Sequence, residues 1–190
     1  MMNSLIPLTI YGIGVYHPKG WKLFINPNTT FNFNEGMVKI DKESAAKTNA
    51  ASLSIRWATM KNEVKIDDYV NELDLQLQKK QKKSRNKDKY RILRREKHRL
   101  NGKDACLIEN EFIANHSIYR IFGKDELVKV LQLFFYSKES GRMIVASLSA
   151  TEEEMKRNKE GYKETLLSLH ENINQVQTEN VKRTKIEKAM

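Results

Sequence analysis

The sequence predicts an α+β fold in which a central, largely antiparallel β-sheet is flanked by helices, forming an α/β/α sandwich. Three observations predict it: apolar and polar side chains alternate over residues 52–58, apolar residues repeat with a helical period from Ile66 onward, and Asn101-Gly102 separates two β-prone segments. Alternation indicates a half-buried strand, the longer period an amphipathic helix, and the Asn-Gly pair a tight hairpin turn. Strands joined by such hairpins run antiparallel.

The first third of the chain contains candidate strands separated by turns and a loop. Alternation and β-prone composition predict the strands, and proline, glycine and polar runs predict the breaks between them. In order, we expect a strand at 12–17 ended by Pro18, a strand carrying Phe31 and Phe33, a turn at Gly36 into residues 37–40, a loop over 41–49, and the strand at 52–58.

One amphipathic helix is expected after these strands. Its apolar stripe recurs at helical spacing and comprises Ile66, Tyr69, Val70, Leu73 and Leu77. Asp67 and Asp68 fall in its first turn and a lysine cluster in its last, and both placements favour the helix macrodipole. The helix therefore runs into the lysine-rich segment, and part of that cluster has a structural explanation.

The second half of the chain predicts hairpins of apolar strands. The expected strands are 92–100 and 104–113 joined at Asn101-Gly102, a short strand at 117–122, and the nearly continuous apolar strands 127–136 and 143–148 joined at Ser140-Gly141. Long apolar runs of this kind are typical of central strands that are covered on both faces.

A closing helix follows the last strand. Thr151 and Glu154 have the spacing of a capping box, in which Thr151 is the N-cap and the Glu154 side chain reaches back to it. We expect a break near Gly161, and then an apolar seam that packs on the sheet and comprises Tyr162, Leu166, Leu169, Ile173 and Val176. Residues 1–177 are expected to form one domain, and residues 178–190 a frayed or disordered basic tail.

The formal net charge of +10 is concentrated in one segment. Residues 79–99 hold twelve basic residues against two acidic ones, and the rest of the chain is balanced. The candidate patch for an anionic partner comprises Lys79, Lys80, Lys82, Lys83, Arg85, Lys87, Lys89, Arg91, Arg94, Arg95, Lys97 and Arg99. Such a patch attracts phosphate backbones, acidic lipid headgroups or acidic protein faces, and it is equally consistent with a solvated surface that keeps the chain in solution.

Candidate catalytic and metal-ligating residues form no recognisable constellation in the sequence. His17, His98, His116 and His170 lie far apart, without the paired spacing of a metal site. Cys106 could in principle face His116 across neighbouring strands as a nucleophile and base, but a free cysteine between apolar neighbours is usually a small buried hydrophobe. We expect no enzyme activity, no metal site and no cofactor. The chain lacks an export signal and an apolar span, so a cytoplasmic protein is expected.

The order of these features resembles the Mog1/PsbP-like family over about residues 12–173. The residues that carry the resemblance are Tyr16-His17-Pro18-Lys19-Gly20-Trp21, the Phe31-Asn32-Phe33 strand, Ile66-Asp67-Asp68-Tyr69-Val70, the Leu100-Asn101-Gly102-Lys103-Asp104-Ala105 turn and the closing helix. The resemblance implies a central antiparallel sheet between helices. Members of the family include a binding partner of the Ran GTPase, an extrinsic subunit of photosystem II, and chaperones associated with type VI secretion effectors, so it also implies binding to another protein.

Three hypotheses of function follow. The first is a protein-interaction adaptor or chaperone-like protein, as the resemblance implies. The second is binding to nucleic acid or another anionic surface through residues 79–99, with an affinity that falls steeply with salt. The third is an enzyme that acts on an anionic substrate, for which the sequence offers no specific residues.

Overall fold

The strands form two antiparallel sheets in this computed structural model, which describes residues 4–42, 51–83, 90–114 and 126–172. Within these residues there are ten strands and two helices, and the predicted α+β class is confirmed. In chain order they are β1 (Leu5–Ile10), β2 (Ile13–Pro18), β3 (Lys22–Phe24), β4 (Glu35–Lys42), β5 (Ala51–Thr59), α1 (Ile66–Lys83), β6 (Tyr90–Leu100), β7 (Lys103–Ala114), β8 (Glu126–Ser137), β9 (Arg142–Thr151), α2 (Glu152–Leu167) and β10 (His170–Glu171).

The larger sheet has seven strands in the order β3-β4-β5-β9-β8-β7-β6, and the smaller sheet has the order β1-β2-β10. Neighbouring strands are antiparallel in both sheets. The alternation predicted at residues 52–58 lies in β5, where Leu53, Ile55 and Trp57 are buried in the core. The strand order places β9 at the centre of the larger sheet and β3 and β6 at its two edges.

Asn101 and Gly102 form a two-residue turn between β6 and β7, as the sequence predicts, and Leu100 pairs directly with Lys103. Their φ angles are positive, 51° and 81°, as a type I′ turn requires and as asparagine and glycine adopt most easily. The hairpin predicted at Ser140-Gly141 is also confirmed, since it joins β8 to β9.

The two helices pack on opposite faces of the larger sheet, which completes the predicted sandwich. Cys106 and Ile108 of β7 face α1 and form a small core with Val70. Leu107, between them, faces the other side, where a larger core includes Leu166 of α2. The face on the first side is called the α1 face below, and the other the α2 face.

The N-cap predicted for α2 is confirmed, because the Thr151 Oγ1 accepts a hydrogen bond from the backbone N–H of Glu154 at 3.3 Å. The second half of the predicted capping box is wrong. The Glu154 carboxylate accepts hydrogen bonds from Lys42, Asn158 and Tyr162 instead. Lys42 ties the start of α2 to β4, which is a more distant contact than the sequence pattern predicts, and the other two partners lie in α2 itself.

The predicted break of the closing helix at Gly161 is also wrong, since α2 runs unbroken from Glu152 to Leu167. Glycine in a helix interior costs about 1 kcal/mol relative to alanine. Tyr162 and Leu166, which follow it, are buried in the larger core, and burying such side chains contributes roughly 1.5–3 kcal/mol each. Packing therefore outweighs the local preference of the backbone.

The predicted strand at Phe31 and Phe33 is a bend in the structure. The Asn32 Oδ1 accepts hydrogen bonds from the backbone N–H groups of Asn34 and Glu35 at 2.8 and 3.0 Å. An asparagine that bonds its own backbone in this way offers the chain an alternative to strand pairing. The alternation of phenylalanine with asparagine is therefore a turn signal here.

Gly36 lies inside β4 and not in the predicted turn. A Cβ atom at this position would lie 2.3 Å from the Cζ2 atom of Trp57, its direct partner on β5. The glycine is therefore required by the close approach of the buried indole to the β4 backbone.

Several predictions concern residues that the structure does not describe. These are most of the loop at 41–49, whose first two residues belong to β4, the strand at 117–122, the seam residues Ile173 and Val176, and the tail at 178–190. The short strands β1, β3 and β10 have no counterpart in the sequence prediction. Within the described residues, neither helix is long and apolar enough to cross a membrane.

A fully buried ion pair joins the two sheets. The Arg142 side chain at the start of β9 and the Glu171 side chain in β10 are each 0% exposed. The Arg142 Nε donates to the Glu171 Oε1 at 3.1 Å, its Nη1 donates to the Phe33 carbonyl at 3.2 Å, and its guanidinium lies 4.2 Å from the centre of the Phe33 ring. The hydroxyl of Ser137 donates to the same carboxylate.

Candidate interaction surface

The basic segment is divided between two elements and does not lie on one face. Eight of its twelve basic side chains are described: Lys79, Lys82 and Lys83 at the end of α1, and Arg91, Arg94, Arg95, Lys97 and Arg99 on β6. The side chain of Lys80 and residues Arg85, Lys87 and Lys89 lie outside the described part. The sequence predicts both elements, the helix that runs into the lysine-rich segment and the strand at 92–100, and the structure confirms them.

Each basic side chain of β6 already has a carboxylate partner. Arg95 and Lys97 both bind Asp67 in the first turn of α1, at 2.6 and 2.7 Å. These hydrogen bonds, first that of Lys97 and then that of Arg95, lower the pKa of the Asp67 carboxyl group. The remaining pairs are Arg91 with Glu111 at 2.7 Å, Arg94 with Glu96 at 2.7 Å and Arg99 with Asp104 at 3.5 Å.

A β-bulge at Leu93 turns the charged side chains of β6 to both faces of the sheet. The register shifts between Ile92 and Arg94. Residues that are directly opposite in antiparallel strands point to the same face. Arg95 is opposite Ile108 and therefore points to the α1 face, whereas Arg94 is opposite Glu109, which Lys159 of α2 binds at 2.7 Å.

The lysines at the end of α1 differ from those of β6. Lys79, Lys82 and Lys83 are exposed, and no carboxylate among the described residues pairs with them. They lie in the last turns of the helix, where cations interact favourably with the macrodipole. These three lysines are therefore solvated, and their position at the end of the helix has a structural explanation.

The candidate catalytic residues do not come together in the described structure. Cys106 is buried on the α1 face, and burial raises the pKa of its thiol, although a hydrogen bond with Arg95 opposes the shift. His116, its hypothetical partner, lies outside the described residues. His98 contacts Glu96 at 3.1 Å, and His17 is buried in β2. Among the described residues, no group of three or more His, Cys, Asp or Glu side chains could hold a metal ion.

A cleft with a volume of about 790 Å³ lies between the start of α1, the β6–β7 hairpin and the β8–β9 turn. Its charged walls are largely neutralised by pairs within the protein. These pairs are Lys97 with Asp67, Arg99 with Asp104, Lys103 with Glu139 and Lys138 with Glu63. The cleft therefore presents little net charge to a ligand.

An apolar surface lies at the opposite edge of the same sheet. Leu23, Phe24 and Ile25, in and directly after β3, are 44%, 50% and 44% exposed. Met37 on the neighbouring strand β4 is 37% exposed. We call these four residues the β3 surface. Three consecutive large apolar side chains with this exposure form an apolar patch, and such patches on a protein surface commonly mark interaction sites.

The register places the β3 surface on both faces of the sheet edge. Phe24 is directly opposite Lys39, on the α1 face, and Leu23 is opposite the fully buried Ile40, on the α2 face. Within the described residues β3 pairs only with β4, so its outer backbone N–H and C=O groups have no strand partner. The sequence signal at this site is slight, since the strand has only three residues.

The fold of this chain is similar to that of several solved structures, which belong to different proteins. Cyanobacterial PsbP from Synechocystis sp. PCC 6803 matches with a TM-score of 0.63 at 14% identity, over 90% of this chain and 94% of that chain. The Saccharomyces cerevisiae Ran-binding protein Mog1p matches with a TM-score of 0.55 at 10% identity, over 92% and 98%. A Pseudomonas aeruginosa protein of unknown function, PA94, described as a putative regulator, matches with a TM-score of 0.53 at 12% identity, over 88% and 97%.

These matches confirm the Mog1/PsbP-like fold that the sequence resemblance implies. No protein-family model and no curated protein matches the chain. The identities of 10–14% are too low to transfer a binding residue or a partner from any of these proteins.

Proposed function

We propose that this protein is a non-enzymatic protein-binding module, an adaptor or chaperone-like protein, whose interface is the β3 surface. One observation carries the proposal, namely the difference between the two edges of the larger sheet. The β6 edge carries five cations and a bulge, whereas the β3 edge carries three exposed apolar residues. Natural proteins use charges and bulges to keep an edge strand from pairing with another chain. The pairing of β3 with β4 has no bulge, and Lys22 is the one charged residue among the three of β3.

An edge of this kind suits an extended segment of another protein. The partner strand would take the outer N–H and C=O groups of β3, and its alternate side chains would contact Leu23 on one face and Phe24 on the other. Completing the burial of three half-exposed apolar side chains contributes roughly 3 kcal/mol in total, since full burial of one contributes roughly 1.5–3 kcal/mol. With only three residues in β3, the proposed complex is transient.

The comparisons support the class of function at a coarse level. The yeast protein with this fold is a Ran-binding protein, so the fold is used for binding another protein in at least one case. One fold hosts many functions. The proposed interface in this chain is therefore supported by the β3 surface and not by the fold.

The alternative, binding of nucleic acid or another anionic surface through residues 79–99, has less support. Its five cations on β6 each have a carboxylate partner within the protein. An anionic ligand would have to displace these partners, or bind mainly through Lys79, Lys82 and Lys83.

Variants of the β3 surface test the proposed function by affinity capture from the native host. Leu23→Asp and Phe24→Asp place a charge on each face of the edge and should remove the partner that the wild-type protein captures. Leu75→Asp is the matched control, because Leu75 is 55% exposed on α1, on another part of the surface. The proposal is wrong if the wild-type protein captures no reproducible partner, or if all three variants retain it equally. Unfolding curves for each variant identify any loss that is due to misfolding.

A further inference from the structure

The cleft at the start of α1 has the size of a small-molecule site. Its volume of about 790 Å³ lies within the range of about 300–1,000 Å³ that is usual for ligand pockets. The β3 surface lies at the other edge of the larger sheet, so the cleft is a separate feature of the molecule.

The residues that line this cleft lie in continuous stretches of the described chain. Three internal segments lie outside the described part, at 43–50, 84–89 and 115–125. The strand residues that adjoin these segments lie at the end of the larger sheet away from the β6–β7 turn, and they are Lys42, Ala51, Tyr90, Ala114 and Glu126. None of these three breaks therefore adjoins the cleft.

Two of the charged side chains in the cleft are free to meet a ligand. Besides His98, five basic and five acidic residues line it, and eight of these ten form the four ion pairs described above. The other two, Lys65 and Asp68, are exposed, and neither has a charge partner among the described residues. A ligand that carries one anionic and one cationic group would meet both of them without displacing an ion pair. A ligand of one sign would lie beside a like charge.

Lys65 and Asp68 are neighbours on the surface of the first turn of α1. The backbone N–H of Tyr69 donates to the Lys65 carbonyl at 3.1 Å, so helical bonding begins at Lys65. Residues three apart on a helix have Cβ atoms about 5–6 Å apart. The two charged ends of a dipeptide can lie up to about 7 Å apart, because an extended chain spans about 3.3–3.6 Å per residue. A dipeptide can therefore reach both side chains, whereas a single amino acid carries both charges on one carbon atom.

The cleft also has apolar walls. Val64, Ile66 and Tyr136 are half-buried there, and Ala105 is buried. We infer that this cleft binds a small zwitterion of the size of a dipeptide, with its carboxylate at Lys65, its ammonium at Asp68 and an apolar side chain against these walls. The inference goes beyond the proposed function and does not rest on it.

Three forms of one dipeptide test the inference. Ala-Leu carries both charges, N-acetyl-Ala-Leu carries only the carboxylate, and Ala-Leu amide carries only the ammonium. Each form is titrated into isotope-labelled protein, and the backbone amide signals of Gly102 and Ala105, which line the cleft, report binding by NMR. We expect Ala-Leu to bind about two- to fivefold more tightly than either analogue, which is the effect of one exposed ion pair. Raising the salt concentration should reduce this difference.

Two variants locate the two charges. Lys65→Gln should weaken the binding of Ala-Leu and of N-acetyl-Ala-Leu but not that of Ala-Leu amide. Asp68→Asn should weaken the binding of Ala-Leu and of Ala-Leu amide but not that of N-acetyl-Ala-Leu. The matched control is Lys79→Gln, because Lys79 is exposed at the other end of the same helix. This control should leave all three affinities unchanged.

The outcomes separate this inference from the proposed function. The inference is wrong if the three forms bind equally, if none of them shifts the amide signals of the cleft, or if Lys79→Gln weakens binding as much as Lys65→Gln does. It is also wrong if Ala-Leu shifts the amide signals of Leu23 and Phe24 and not those of the cleft, since the ligand then occupies the β3 surface. The capture experiment with the β3 variants does not involve the cleft, so the failure of either proposal leaves the other standing.

Discussion

The buried pair of Arg142 and Glu171 offers a direct test of how the two sheets are held together. Both side chains are 0% exposed. Replacing Arg142 with methionine removes two hydrogen bonds to the carboxylate and one to the Phe33 carbonyl, and it leaves the Glu171 carboxylate buried without its cation. Removing one partner of a buried pair costs about 3–5 kcal/mol. We expect Arg142→Met to lower the free energy of unfolding by about 4 kcal/mol.

Urea unfolding followed by tryptophan fluorescence measures this change, since Trp21 and Trp57 are both buried. Thermal unfolding of Arg142→Met should show a Tm about 8–16 °C lower than that of the wild type, since each kcal/mol shifts the Tm by about 2–4 °C for a domain of this size. The double variant Arg142→Met with Glu171→Leu should cost at least about 2 kcal/mol less than the sum of the single variants, because it leaves no unpaired charge in the core.

An exposed pair serves as the control. Arg157 and Glu153 on α2 are 74% and 85% exposed and 3.8 Å apart, so Arg157→Met should change the free energy of unfolding by less than about 0.5 kcal/mol. If Arg142→Met costs less than about 1 kcal/mol, or if the effects of the two single variants are additive, then the buried Glu171 carboxylate does not depend on the guanidinium of Arg142.

Two further predictions concern His17 and the β6 edge. Burial lowers the pKa of His17 below 6.5, against the opposing hydrogen bond to Pro18. The stabilising contribution of His17 is therefore present above about pH 6.5 and is lost as the pH falls through its lower pKa in the folded state. Urea unfolding between pH 7.5 and 5 should show a smaller loss of stability in His17→Gln than in the wild type, and equal losses would contradict this assignment. Replacing Arg91, Arg94 and Lys97 with threonine leaves two of the five cations of β6. It should produce concentration-dependent association in size-exclusion chromatography with light scattering, because fewer charges then keep the edge strand from pairing. The same three substitutions in the lysines that end α1 should leave the protein monomeric, and a monomeric β6 variant would show that its charges do not protect the edge.

The local sequence was sufficient for those parts of the fold that depend on neighbours in the chain. The alternation of Leu53, Ile55 and Trp57, the Asn101-Gly102 turn and the helical stripe of α1 each have a periodic or steric cause that acts within a few residues. The errors came where a distant or competing contact decided the outcome. Asn32 bonds its own backbone, and buried neighbours carry α2 through Gly161.

The basic segment illustrates the same limit for the candidate site. The sequence gives the number and position of its cations but not their partners, since Asp67 lies 28 residues from Arg95 in the chain. Conversely, Leu23 and Phe24 do not stand out in the sequence. They are exposed at a sheet edge only because β3 is the last strand of the sheet, and the strand order cannot be read from the sequence.

The unequal edges of the larger sheet bear on the stoichiometry of any complex it forms. A sheet with two open edges can accept a strand on each side, and copies can then join edge to edge into chains of indefinite length. Here the β6 side is closed by its charges and its bulge, so growth through the proposed site ends after one addition. A strand bound at β3 would give a complex of one protein with one segment, and raising the concentration would fill that site without building a polymer.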